Sequence, residues 1–297
     1  MKQRAVVTGG CGFIGTYVVQ ELLEKEYDVL VIDNLSKGKE SSLPKSVTFV
    51  KADICDYEKI VSLINEGDII FHLAALTSVP GSLETPLPYH TTNIMGTYNI
   101  LEAARVRRAH GVIFSSSAAI YGSQEGLLSE DTDPHPESPY ATQKLVGETL
   151  CESYAIQYGL PSVALRYFNV YGEGNHEEGS YAPVTARFLK ASREGKHLSV
   201  VGDGEQTRDF IHVKNIAHVN VRAIKLLTPK YFEIINVATK TGTKVIDIAH
   251  IVGGEIDHLP ARTEPKHSLG NNEKLLNLIP HIELISLEEG LQEMLGK

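Results

Sequence analysis

The chain has 297 residues, of which 42% are hydrophobic and 22% charged. That length suits about two domains, and the composition excludes an intrinsically disordered protein. The formal net charge of −9 removes any general attraction to nucleic acid or anionic lipid, so a phosphate-bearing ligand must be held at a local site. The three cysteines, Cys11, Cys55 and Cys151, have no repeating spacing, and the twelve histidines form neither an HExxH motif nor a His/Cys ligand set. This argues against a disulfide framework and against a bound metal, and fits a reducing, cytoplasmic setting. No apolar run approaches the roughly 18 residues of a membrane helix, and the start of the chain is too short in apolar residues for a signal peptide.

In chain order, apolar runs at 5–8, 28–33, 47–50, 68–73, 111–116 and 161–166 read as buried strands. Amphipathic segments lie between them. Ile14, Val18, Leu22 and Leu23 share one helical face; Ile94, Tyr98 and Leu101 share another. The basic residues Arg105, Arg107 and Arg108 follow the second of these, where cations suit the helix C-terminus. Ser138-Pro139-Tyr140 supplies an N-cap and a proline at the first helical position, and Gly159 and Pro161 end that helix near Tyr158. The alternation predicts an α/β domain over 1–168, with a doubly wound parallel sheet covered by helices on both faces. It fades after Asn169, where helical patterns near 184–193, 215–227 and 287–295 stand among loop-rich stretches. A smaller mixed α/β domain is expected over 169–297, with some strand or helix exchanged between the two.

The first strand runs into Thr8-Gly9-Gly10-Cys11-Gly12-Phe13-Ile14-Gly15, which satisfies G-x-G-x-x-G with Gly10, Gly12 and Gly15 and G-x-x-G-x-x-G with Gly9, Gly12 and Gly15. Glycines here permit a tight turn, close approach to a pyrophosphate, and packing of helix on strand. The helix N-terminus then offers free N–H groups to the phosphates. Asp33 closes the second strand, where a carboxylate accepts from the adenosine ribose and repels a 2′-phosphate, favouring NAD over NADP. Asp53, after the third strand, is placed to meet the adenine.

Tyr140 and Lys144 are four residues apart on one helix and so share a face. A free tyrosine is a poor base at neutral pH. A neighbouring ammonium, together with a cationic nicotinamide, stabilises the phenolate and lets Tyr140 take a proton from a sugar hydroxyl. The fifth strand ends in Ser115-Ser116-Ser117, which brings a hydroxyl to the same oxygen.

With these residues in place, the chain resembles the extended short-chain dehydrogenase/reductases, and among them the NAD-dependent nucleotide-sugar epimerases acting on UDP-glucose or UDP-N-acetylglucosamine. The resemblance runs through TGGCGFIG (8–15), DNLS (33–36), HLAALTSVPGS (72–82), Asn93-x-x-Gly96-Thr97, SSSAAIYG (115–122), SPYATQK (138–144), RYFNVYG (166–172) and GDGEQTRDFIHV (202–213). It implies a Rossmann domain and a smaller C-terminal domain that grips a UDP-sugar. It implies that Ser117, Tyr140 and Lys144 are catalytic. NAD would be held by Gly9, Gly12, Phe13, Ile14, Gly15, Asp33, Asn34, Ser36, Lys37, Gly38, Asp53 and Ile54, then by Leu73, Ala74, Ala75, Thr77, Asn93, Ser115, Tyr140, Lys144 and Tyr167. The UDP-sugar would meet Ser78, Ser117, Tyr140, Asn169, Arg208, Arg262 and Ser268, the two arginines gripping the diphosphate.

Two departures stand out. Thr77 occupies a position where some family epimerases have lysine, and the C-terminal domain is short, with less chain between Gly253-Gly254 and Arg262 than many members have. Relatives that dehydrate or decarboxylate the 4-keto sugar carry acidic residues directly after the catalytic hydroxyl; here these are Ala118 and Ala119, so simple 4-epimerisation is expected. A uronate epimerase, a dehydratase or a decarboxylase is the alternative within the family, and a non-catalytic NAD-binding regulatory protein the alternative outside enzymes. Ser268 falls where the family varies a residue on the C2 side of the sugar, a small one admitting acetamido sugars, and Ser78 and Ser82 resemble the subgroup that prefers them. A homodimer is also implied, packed through the helices near 91–108 and 139–158, with Tyr98, Leu101, Cys151 and Tyr154 offering surface for it.

Overall fold

The computed structural model describes residues 2–175, 182–261 and 266–296. Its strands, in chain order, are β1 (Arg4–Thr8), β2 (Asp28–Asp33), β3 (Thr48–Lys51), β4 (Ile69–His72), β5 (Gly111–Ser117), β6 (Gly126–Leu128) and β7 (Ser162–Tyr167). There follow β8 (Asn169–Tyr171), β9 (Leu198–Val201), β10 (Thr207–His212), β11 (Phe232–Val237), β12 (Gly242–Lys244), β13 (Ile256–Leu259) and β14 (His267–Gly270). The helices are α1 (Phe13–Glu24), α2 (Tyr57–Leu63), α3 (Val79–Glu84), α4 (Pro86–His90), α5 (Gly96–Val106) and α6 (Pro139–Tyr158). The rest are α7 (Val184–Arg193), α8 (Val213–Ala223), α9 (Val245–Val252), α10 (Glu273–Leu278) and α11 (Leu287–Leu295).

The six expected strands, joined by β11, form a parallel sheet in the order β11-β7-β5-β4-β1-β2-β3. Both faces are covered, so β1 is apolar at three successive positions, Ala5, Val6 and Val7, rather than alternating. Ala5 and Val7 pack on Val18, Val19 and Leu22 of α1 and on Ile216 of α8, while Val6 faces Ile60 of α2, Ile100 of α5 and Cys151 of α6. The chain crosses between its halves twice. β11, from the C-terminal half, forms the outer edge of this sheet beside β7, and β6, from the N-terminal half, joins a second sheet of order β12-β10-β14-β6. β8 also pairs with β10, and a core of Tyr171, Phe188, Leu198, Phe210 and Ile248 underlies this smaller unit.

α6 has the expected bounds: Ser138 Oγ accepts from Ala141 N at 3.2 Å, and Gly159 takes the left-handed conformation that ends the helix. The helix expected over 91–108 is broken in kind, with a π-helical turn over Thr91–Met95 leading into α5. One expectation about its surface is corrected. Leu101 and Cys151 have no exposed surface and Tyr154 is buried, because these faces of α5 and α6 pack beneath the sheet. Of the four residues offered for a dimer contact, Tyr98 is exposed.

Candidate active site

The carboxyl ends of β1, β2, β4 and β5 converge on one edge of the sheet. Gly9 has φ +71°, and a Cβ there would lie 2.7 Å from Ala74 N; a Cβ at Gly15 would run into the Gly9 carbonyl. The turn therefore requires glycine, and it leaves the backbone bare before Phe13 and Ile14 open α1. Asp33 locks this turn to β2, its carboxylate accepting from Cys11 N at 3.0 Å and from Leu35 N at 2.8 Å. The 34–38 segment lies against the same turn, since a Cβ at Gly38 would strike Cys11 O. Asn34 donates to Asp53 at 3.0 Å, while its own Oδ1 accepts from Ser36 N. Burial tends to raise the Asp53 pKa, but hydrogen bonds from Cys55 N and Asn34 hold it below the usual carboxylate value. Ile54 is buried beside Gly96.

After β4, Leu73, Ala74, Ala75 and Thr77 form the loop facing this cradle. Asn93, buried in the π-helical turn, accepts from Leu76 N at 2.8 Å and donates to Leu76 O at 2.9 Å and to Gln143 at 2.8 Å. A cradle that only glycine can line, a carboxylate at the end of β2 and a bare helix start together fit a dinucleotide.

Ser117, Tyr140 and Lys144 come together at the end of β5. Lys144 Nζ donates to Ser115 O at 2.6 Å and stands 5.8 Å from the centre of the Tyr140 ring. The Tyr140 amide, left without an intrahelical partner in the first turn of α6, donates to Ser82 Oγ at 3.2 Å. Burial pushes the Tyr140 phenol up to about 12, against the pull of its hydrogen bond with Ser117. Burial outweighs that pull, while the Lys144 ammonium lies over the Tyr140 ring and donates to Ser115 O. Burial also brings Lys144 down to about 8, with Glu148 and Cys151 opposing. Tyr167 is buried nearby, its hydroxyl exchanging hydrogen bonds with Asn220 of α8 at 2.8–3.0 Å.

Asn169 and Arg208, both expected to meet the UDP-sugar, line a cleft of about 320 Å³ between β8, β9, β10 and α7. Ser268 is half-buried in β14, in register with Arg208 on one side and Gly126 on the other. Ser78 caps α3, accepting from Gly81 N at 3.1 Å. Arg262 lies outside the described residues. A larger cleft of about 530 Å³ between α1 and α8 holds none of these residues.

Several contributors escaped the sequence reading. Asp209, fully buried, accepts from Thr239 N and Oγ1, Lys240 N and Gly270 N at 2.7–3.2 Å and so fixes β10 and β14 at Arg208 and Ser268. Tyr89 is buried near Tyr140, and its field raises the Tyr140 pKa further. Ser82 was read as a mark of substrate preference, but its hydroxyl is held by Val79 O and Tyr140 N.

A parallel sheet with a glycine cradle, and a Ser–Tyr–Lys set at its carboxyl edge, defines an enzyme of the extended short-chain dehydrogenase/reductase type. The chain belongs to the NAD dependent epimerase/dehydratase family, whose profile matches residues 5–238. It is 33% identical to the UDP-N-acetyl-alpha-D-glucosaminuronate decarboxylase of Bacillus cytotoxicus, over 99% of this chain and 97% of that one. Among solved structures it is similar to the UDP-N-acetylglucosamine 4-epimerase of Methanobrevibacter ruminantium in complex with UDP-N-acetylmuramic acid, with TM-score 0.93 and 36% identity over 100% of this chain and 98% of the other. It is also similar to the Thermus thermophilus UDP-glucose 4-epimerase in complex with NAD, with TM-score 0.90 and 30% identity over 99% and 98% of the two chains.

Proposed function

We propose that this protein catalyses the NAD-dependent 4-epimerisation of a UDP-hexose through a transient 4-keto sugar. The observation that carries the reading is the Ser117–Tyr140–Lys144 set followed directly by Ala118 and Ala119, which cannot move a proton at the carbons beside C4. When bound in the glycine cradle, NAD supplies an acceptor that takes hydride from C4 and returns it. Tyr140 takes the proton of the 4-hydroxyl and later gives it back, and Ser117 holds the same oxygen. Lys144, mostly protonated at neutral pH, keeps a positive charge against the phenol ring. Arg208 and Arg262 grip the diphosphate while the ketone turns its other face. Asp33 selects NAD over NADP through the ribose.

The test is product analysis by NMR on UDP-glucose, UDP-galactose and their N-acetylated counterparts. An isomer of unchanged mass, inverted at C4, is expected. The likeness to a glucosaminuronate decarboxylase favours a second reading, in which a UDP-uronate loses carbon dioxide; that product, with inert hexoses, would replace the first.

Two further expectations belong to this reading. Ser268, one strand from Arg208, is assigned to the C2 side of the sugar, where its small side chain would admit an acetamido group, so acetamido and hydroxyl sugars should both react. Ser268→Tyr should suppress the acetamido reaction about tenfold or more and largely spare the hydroxyl sugars, because a packed site cannot absorb the added volume without strain. Equal loss on both, or none on either, in parallel kcat/KM measurements would remove Ser268 from the pocket. The homodimer is assigned to α5 and α6, where Tyr98, Ile156 and Tyr158 remain exposed on neighbouring turns. Light scattering should give twice the chain mass, and the chain mass alone would refute this assembly.

A further inference from the structure

β4 ends at His72, a buried imidazole held between two threonines. Nδ1 lies 2.8 Å from Thr8 Oγ1 at the end of β1, and Nε2 lies 2.9 Å from Thr97 Oγ1 on α5. The directions of these bonds are decided by their neighbours. Thr97 donates its hydroxyl proton to Asn93 O at 2.7 Å, so its oxygen accepts from His72 Nε2–H. Thr8 Oγ1 already accepts from Ala74 N at 3.3 Å, and its own proton goes to His72 Nδ1. A one-way chain therefore runs from the Ala74 amide through Thr8, His72 and Thr97 to the Asn93 carbonyl. Burial, with the nearby Lys144 charge, brings His72 down to about 3, so the ring is neutral at physiological pH.

What this chain joins gives it meaning. Thr8 leads into the glycine turn, and Ala74 belongs to the loop after β4. Asn93 grips that loop at Leu76 from both sides and donates to Gln143, the residue before Lys144. The cofactor cradle and the catalytic helix thus meet through one imidazole.

We propose that His72 is a positioning residue: a neutral imidazole protonated at Nε2 that registers the dinucleotide cradle against the helix bearing Tyr140 and Lys144. The inference deepens the NAD reading above and rests on it only for the cofactor measurement. The first test is a long-range ¹H–¹⁵N spectrum of the wild-type protein labelled at histidine, with His72→Phe used for assignment. A neutral Nε2–H pattern that does not titrate from about pH 5 to about pH 8 is expected. An Nδ1–H pattern, or a titration within that window, would overturn the proposal. The second test measures NAD and UDP affinity together in His72→Phe, which keeps a planar ring and deletes both hydrogen bonds. NAD affinity should fall about tenfold to a hundredfold, with UDP affinity close to wild type, since two buried hydroxyls lose their partner. Thr8→Val should act alike, and the double variant should lose little more than either single one. A lowered melting temperature with NAD affinity and kcat unchanged would make His72 merely structural and sink the proposal. Wild-type protein that binds no NAD would instead defeat the cofactor reading, and the spectrum would then decide the tautomer alone.

Discussion

Tyr140→Phe is expected to lower kcat by about 10³-fold or more while leaving UDP-sugar affinity near the wild-type value. The substitution keeps the buried ring and removes the hydroxyl that is hydrogen-bonded to Ser117 and is proposed to move the proton. Burial raises the phenol pKa against the pull of Ser117, and phenylalanine offers no oxygen with which to take or return a proton. Phenylalanine leaves Lys144 its bond to Ser115 O, and the fold around it should persist. Steady-state rates on the preferred UDP-sugar, set beside titration calorimetry with UDP, separate the two quantities. A variant retaining most of its rate would remove Tyr140 from the proton path.

The second large effect falls on stability. Arg166 of β7 is fully buried and turns two nitrogens onto Glu148 of α6, Nε at 2.9 Å and Nη2 at 2.8 Å. Its third nitrogen donates to Tyr121 at 2.8 Å, and Ser116 Oγ adds a bond of 2.6 Å to the same carboxylate. The pair ties the catalytic helix to the sheet one turn beyond Lys144. Arg166→Met would leave the carboxylate buried without its cation, a loss of about 3–5 kcal/mol. Replacing both partners by apolar residues of similar size should recover most of that, because neither charge then has to be desolvated. Urea unfolding of the single and double variants measures this directly. An unfolding midpoint for Arg166→Met equal to wild type would show that Glu148 finds another donor.

The parts of the molecule legible in sequence are those whose causes are local. The six early strands are continuous apolar runs, and α6 announces itself through Ser138 and Pro139. Tyr140 and Lys144 could be paired because four residues on a helix set their geometry. The remainder depends on partners distant along the chain. Ser82 meets the Tyr140 amide across 58 positions, and Asp209 collects donors from two later segments, at Thr239–Lys240 and at Gly270. β6, β8 and β12 are three residues long, too short for any period to show. Leu101 and Cys151 passed for surface because α5 and α6 are covered on more than one side. The direction of the Tyr140 pKa follows from burial depth, which a sequence does not state.

The place of β11 bears on how the chain is built in the cell. β7 pairs with β5 on one side, but its other side is satisfied only when Val237 arrives opposite Tyr167. During synthesis the nascent sheet therefore presents an open strand edge for about 70 residues, at the usual ~5–20 residues per second for several seconds. An unpaired edge of this kind is a template for other chains. All of the smaller unit's cleft-forming strand β9 and the Arg208 strand β10 must emerge before that edge is closed. Completion of the seven-stranded sheet is thereby made to wait for the segment that carries Asn169 and Arg208.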